Sequence, residues 1–191
     1  MDAILAQLQQ LESRLDAHGL VTDPEFAEAI RAENDWIEED ETPVIRRGAA
    51  RGASELDALQ AELAAHGLSL PADYRAFLER CGGLALDVRA ADDEPNDLPP
   101  TDVTSGLWSR PQLATFPDGA PPRLVFFDNG ELGYFAFEYG PTLRLVDQSG
   151  DWAGAAVQDS CTVMRHGSFT EWLETYVEWG LMTFSYKMVD E

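Results

Sequence analysis

The segment that most limits the fold is residues 121–150, PPRLVFFDNGELGYFAFEYGPTLRLVDQSG. RLVFF, YFAFEY and TLRLVDQSG are short runs rich in β-branched and aromatic residues, separated by DNGELG and by Gly140-Pro141. Asn129-Gly130 reaches positive φ at little cost, so Asp128-Asn129-Gly130 reads first as a hairpin corner and the whole segment as an antiparallel meander. A meander this apolar needs helices to cover it, which sets the search along the rest of the chain.

Ile4, Leu5, Leu8, Leu11 and Leu15 recur at helical spacing, so residues 2–18 are expected to form an amphipathic helix ending at His18-Gly19. Thr22 or Asp23 would cap a second helix with Phe26, Ile30, Glu33 and Ile37 along one side, and the pair reads as an N-terminal helical hairpin. Two such helices cannot bury both apolar faces alone and must pack on the rest of the chain or on a second copy. TPVIRRGAARGAS reads as a linker, so residues 1–51 are expected to be a helical extension and residues 52–191 the main domain.

Within that domain, Ser54 and Asp57 form an expected capping box for ELDALQAELAAHG, with Leu56, Leu59 and Leu63 inward. LSLPADYRAFLERCGG carries Pro71 at a helix start, Tyr74, Phe77 and Leu78 on its buried side, and Gly82-Gly83 as a stop. LALDVRA alternates as a strand, whereas the proline-rich residues 91–122 read as a long surface excursion with Trp108 as its large aromatic anchor. SFTEWLETYVEWG closes the fold as a helix capped by Ser168 and Glu171, with Phe169, Trp172, Leu173, Tyr176 and Val177 facing the sheet. The expected class is α+β, an antiparallel or mixed sheet packed by helices.

Charge restricts the partners. Thirty-five Asp and Glu face thirteen Lys and Arg, a formal net charge of -22, with Lys187 the sole lysine. Such a surface repels phosphate backbones and anionic lipid, which argues against nucleic acid and membrane and for a basic protein partner, although acidity also serves solubility. The N-terminal residues lack a secretory pattern and no run spans a bilayer, so a cytoplasmic location is expected. Cys81 and Cys161 have no CxxC spacing and read as reduced thiols.

Catalytic motifs are missing: there is no GxxxxGK[ST], GxGxxG after a strand, HExxH or GxSxG. His18 and His66 precede glycines at helix ends, where the dipole favours positive charge. Cys161 with His166, or Asp128 with a metal, are the remaining enzymatic readings, each without an orienting third group. Asp92, Asp93, Glu94 and Asp97 lack the twelve-residue calcium-loop pattern. No catalytic residue, cofactor or metal is therefore expected. Trp36, Trp108 and Trp152 lie in or beside acidic surroundings, a combination suited to binding a basic surface.

Leu70-Pro71, Tyr74, Phe77, Leu78 and Gly82-Gly83, then Phe127-Asp128, Asn129-Gly130 and Gly133-Tyr134-Phe135, then Ser168-Phe169 with Trp172-Leu173, together resemble the SMI1/KNR4 family of the SUKH superfamily over roughly residues 52–180. The resemblance implies an α+β fold without a known catalytic centre. For bacterial members it implies an immunity protein that neutralises a cognate toxin, often a nuclease or deaminase; fungal relatives keep a regulatory scaffold role open. The expected partner is a basic toxin, bound by a monomer or a homodimer. Candidate contacts are Asp92, Asp93, Glu94, Asp97, Asp102 and Trp108 on the long excursion and Glu38, Glu39, Asp40 and Glu41 as a second patch.

Overall fold

The computed structural model describes residues 2–17, 19–33, 37–89, 106–116, 119–128, 133–149 and 161–178. Its helices are α1 (Asp2–Glu12), α2 (Pro24–Glu33), α3 (Ala53–Ala65), α4 (Ala72–Leu78) and α5 (Phe169–Glu178). Its strands are β1 (Thr42–Arg47), β2 (Leu84–Arg89), β3 (Gly106–Ala114), β4 (Arg123–Asp128), β5 (Gly133–Tyr139), β6 (Leu143–Ser149) and β7 (Cys161–Val163). Among the described residues these strands form one antiparallel sheet in the order β1-β2-β3-β4-β5-β6-β7. The fold is α+β, and the β4-β5-β6 meander is the one its sequence spells.

Helix α5 lies on the centre of this sheet. Trp172 and Tyr176 stack at 4.9 Å between ring centroids, and Trp172 meets Phe126 edge-on at 5.0 Å while Tyr176 meets Phe127 at 5.4 Å. Consecutive strand residues normally point to opposite faces. Phe126 and Phe127 nevertheless both join the helix-side core, because the β4-β5 register shifts between Val125 and Phe127. A bulge at that place turns two adjacent rings to the same side. Tyr74 of α4 completes the cluster, 4.8 Å from Phe169 and 5.3 Å from Phe137.

The N-terminal helices end earlier than their apolar spacing suggests. Helix α1 stops at Glu12 because Leu15 bridges Val21 in a small turn that doubles back onto the sheet. Asp23 caps α2 as expected, its Oδ1 accepting the Glu25 and Phe26 N–H groups at 3.1 and 3.2 Å. Helix α1 packs on α5 and α4, and α2 packs on β1. Each thus buries its apolar face on its own chain, and Ile4, Leu8, Leu11, Phe26 and Ile30 share one core with Trp172.

The largest departure is the supposed linker. Residues 42–47 form β1, paired along its length with β2 from Thr42 opposite Arg89 to Arg47 opposite Leu84. Val44 and Ile45 are buried, and this burial outweighs the flexibility that the flanking Gly and Ala residues suggest. The outer edge of β1 is covered too: Ile45 donates to the Gly19 carbonyl at 2.8 Å and Val21 donates to Pro43 at 3.0 Å. Gly19 sits at φ +84, where a side chain is strained, and an added Cβ would lie 2.5 Å from the Ile45 oxygen.

Helix α3 begins at Ala53 rather than after Ser54. The Gly52 N–H donates to Glu55 Oε2 at 3.2 Å, so Glu55, not Asp57, supplies the cap. Residues 106–114, read from sequence as part of a loop, form β3 instead.

Candidate partner-binding surface

The second acidic patch lies in the described structure as a tight turn between α2 and β1. The Glu41 N–H donates to the Glu38 carbonyl at 3.1 Å, and the Glu38 N–H donates to Glu41 Oε2 at 2.9 Å. Arg31 Nη2 donates to the Glu41 carbonyl at 2.8 Å. These bonds employ Glu41 inside the turn and leave Glu38, Glu39 and Asp40 exposed on its outside. The run is therefore a knuckle stiffened by its own backbone.

Asp92, Asp93, Glu94, Asp97 and Asp102 lie outside the described residues. Trp108 falls within β3, and its side chain is also outside them. The register still relates the two acidic runs through their attachment points. Thr42, which follows the knuckle, pairs with Arg89, the last residue of β2 before the long connection. Both acidic segments therefore join the sheet at the same end of neighbouring strands.

The enzymatic readings gain no geometry. The Thr175 hydroxyl donates to the Glu171 carbonyl at 3.1 Å, so the 3.1 Å contact from His166 Nε2 to Thr175 Oγ1 requires Nε2 to carry the proton. Nδ1 is then the unprotonated nitrogen, buried without a hydrogen bond among the described residues. Burial pushes the His166 pKa below its ordinary value, and Glu171 opposes this only in part. The Cys161 and Asp128 side chains are outside the described residues. Among the described residues no group of three or more His, Cys, Asp or Glu is placed to hold a metal ion, and no helix is long and apolar enough to cross a membrane.

Sequence reasoning missed one polar constellation, on the sheet face opposite the helices. Arg123 Nε and Nη2 donate to Glu138 Oε2 at 3.0 and 2.9 Å, while Nη1 reaches the Tyr134 hydroxyl at 3.0 Å and Gln148 Oε1 at 2.9 Å. Arg144 donates to the other carboxylate oxygen of Glu138. Arg123, Tyr134, Glu138 and Gln148 are all buried. Burial pushes the Glu138 carboxyl up, but the hydrogen bonds and charges of Arg144 and Arg123 more than reverse this and hold it below its ordinary value. A signal was available: pairing the hairpins of the meander sets Arg123 opposite Glu138 and Glu138 opposite Arg144. With every guanidinium nitrogen of Arg123 bonded, the group serves as an internal clamp across three strands.

Two motifs noted in the sequence acquire structural roles. Asp73 of α4 accepts the Thr170 N–H through Oδ2 at 3.1 Å, tying α4 to the first turn of α5. Ser168 Oγ accepts the Glu171 N–H at 3.2 Å, and Glu171 Oε2 accepts the Gly167 N–H at 2.7 Å, which caps the helix much as expected. Gly82, expected only to stop α4, also lets the chain pass. An added Cβ would stand 1.8 Å from the Ala49 carbonyl oxygen, and Gly48 exchanges backbone bonds with Gly82 and Gly83 at 3.2 and 2.8 Å.

Comparison with curated proteins and with solved structures finds no match. The family model of SMI1 / KNR4 (SUKH-1) does match, over residues 52–175, about two thirds of the chain, running from the residue before α3 into α5. By that match the chain belongs to the SMI1/KNR4 family.

Proposed function

We propose that this protein is an immunity protein that binds a basic toxin domain, such as a nuclease or deaminase, and neutralises it without turning over a substrate. The observation that carries the reading is the exposed triad Glu38, Glu39 and Asp40 on a stiff turn, in a family member with a net charge of -22. A nuclease toxin is basic where it holds phosphate, so a rigid acidic knuckle is a fitting counterpart: charge steers the encounter and preorganisation lowers the ordering cost. Asp92, Asp93, Glu94, Asp97, Asp102 and Trp108 form the second half of the proposed contact; the connection that carries the acids leaves β2 at the knuckle's end, whereas Trp108 follows Leu107, whose partner Leu84 stands at the far end of β2.

Calorimetric titration against the toxin-like domain encoded beside the gene, at low and high salt, tests this reading. Tight, salt-sensitive binding that abolishes toxin activity is the expected result. An intact, active toxin domain that does not bind the protein would sink it.

A further inference from the structure

Strand β3 outruns its neighbour. Leu107 pairs with Leu84, the first residue of β2, and this is the one register pair between the two strands among the described residues. Because the strands are antiparallel, β3 from residue 108 onward runs past the start of β2. Gln112, Leu113 and Ala114 pair with Val125, Leu124 and Arg123 of β4 on one side, and no strand among the described residues pairs with them on the other. The ladder to β4 is also irregular between Leu107 and Gln112, and Pro111 has no N–H to give to a sheet.

A groove of about 370 Å³ lies between α3 and β3. Leu56, Leu59, Leu78 and Pro111 supply its apolar lining. Glu55 and Glu62 line it as well, with Arg51 as the basic member, held at 3.1 Å by Glu55. The cation is thus matched within the groove, whereas Glu62 is exposed and adds a negative charge beside an apolar trough. An extended peptide adds to a sheet by backbone hydrogen bonds and seats alternate side chains in an adjacent pocket. Strand addition therefore requires the two features that meet here, a strand edge unpaired among the described residues and a trough beside it.

We propose that the outer edge of β3 at Gln112–Ala114, with the α3 groove beside it, receives an extended segment of a partner protein that alternates apolar and basic side chains. The apolar residues enter the trough over Leu59 and Pro111, and a Lys or Arg meets Glu62. Identifying that partner as the toxin rests on the function proposed above; the chemistry of the groove does not.

The intact chain would be titrated with a capped Val-Lys alternating peptide about nine residues long and with its Val-Glu counterpart, following backbone amides by NMR. Val-Lys is expected to shift the amides of residues 112–114 and of α3 and to bind roughly tenfold or more tightly than Val-Glu. The double variant Ala58→Arg with Glu62→Arg alters two exposed positions of the groove and should keep the wild-type Tm while losing roughly tenfold or more of that affinity. Shifts confined to other regions, or a folded double variant that binds Val-Lys as well as wild type, overturn the proposal. Should the variant also lose the toxin-like domain, the groove is part of that contact; undiminished toxin binding would remove the groove from it. If the wild-type chain itself fails to bind the domain, the proposed function falls, and the peptide titration still decides the groove.

Discussion

At Glu138 one carboxylate holds two arginines from neighbouring strands, and one of them, Arg123, is buried. Replacing Glu138 by Gln leaves that guanidinium uncompensated and should destabilise the protein by about 3 kcal/mol in urea unfolding. The Glu138 pKa is depressed in the folded state, so its contribution is present at neutral pH and is lost as pH falls through that pKa. Asp147 behaves oppositely. Burial pushes its carboxyl up to about 6, so the folded chain keeps a proton that the unfolded chain has released, and stability declines as pH rises from about 4 to 6. Asp147→Asn should stabilise the protein by about 1 to 2 kcal/mol near neutral pH, less than the full shift because the half-buried carboxylate retains some solvation, and the gain should vanish near pH 4. Unfolding curves of both proteins across that pH range check the sign.

Among the elements, α5 and β1 depend most on contacts distant in sequence. Helix α5 presents Phe169, Trp172, Leu173, Tyr176 and Val177 to the sheet, and its first turn is held from outside by Asp73. Asp73→Ala should cost about 1 kcal/mol, the usual loss when a capping carboxylate is removed, and hydrogen exchange should quicken first at the start of α5. The crossing of residues 48–49 over Gly82 has less tolerance. Gly82→Ala places a methyl carbon inside the Ala49 carbonyl, so one of two backbones must move, and a loss above about 2 kcal/mol is expected by thermal unfolding. The glycine pair is readable in the sequence as a helix stop; the reason a methyl group is forbidden there comes from a segment more than thirty residues earlier in the chain.

Across the whole molecule, the family match begins at residue 52 but the hydrophobic core begins at Ile4. Removing residues 1–51 would strip β1 from the edge of β2 and α1 from α5 and α4, exposing an unpaired strand edge and apolar surface together. The 52–191 fragment should therefore melt earlier than the intact chain and bind ANS, and a fragment as stable as the full chain would make the N-terminal segment dispensable. Charge acts at the same scale. Reversing Glu38, Glu39 and Asp40 to Lys should leave Tm nearly unchanged while slowing association with a basic toxin domain and flattening its salt dependence, as measured by stopped flow.

Local pattern alone determined the meander, the cap at Ser168, the apolar faces of α4 and α5 and the acidic character of the surface, and narrowed the α2 cap to Thr22 or Asp23, because each follows from turn chemistry, side-chain period or simple charge counting. Tertiary structure decided what TPVIRR becomes, since a six-residue run holding a proline and two arginines is a strand only when β2 lies beside it and residues 19–21 close its other edge. It also decided the aim of Phe126 and Phe127, through a bulge that no alternation rule locates, and the burial of Arg123, whose carboxylate partner arrives only once the hairpin has closed. Hydrophobic period and turn propensity act within a few residues, whereas pairing register and close approach exist only after distant segments meet.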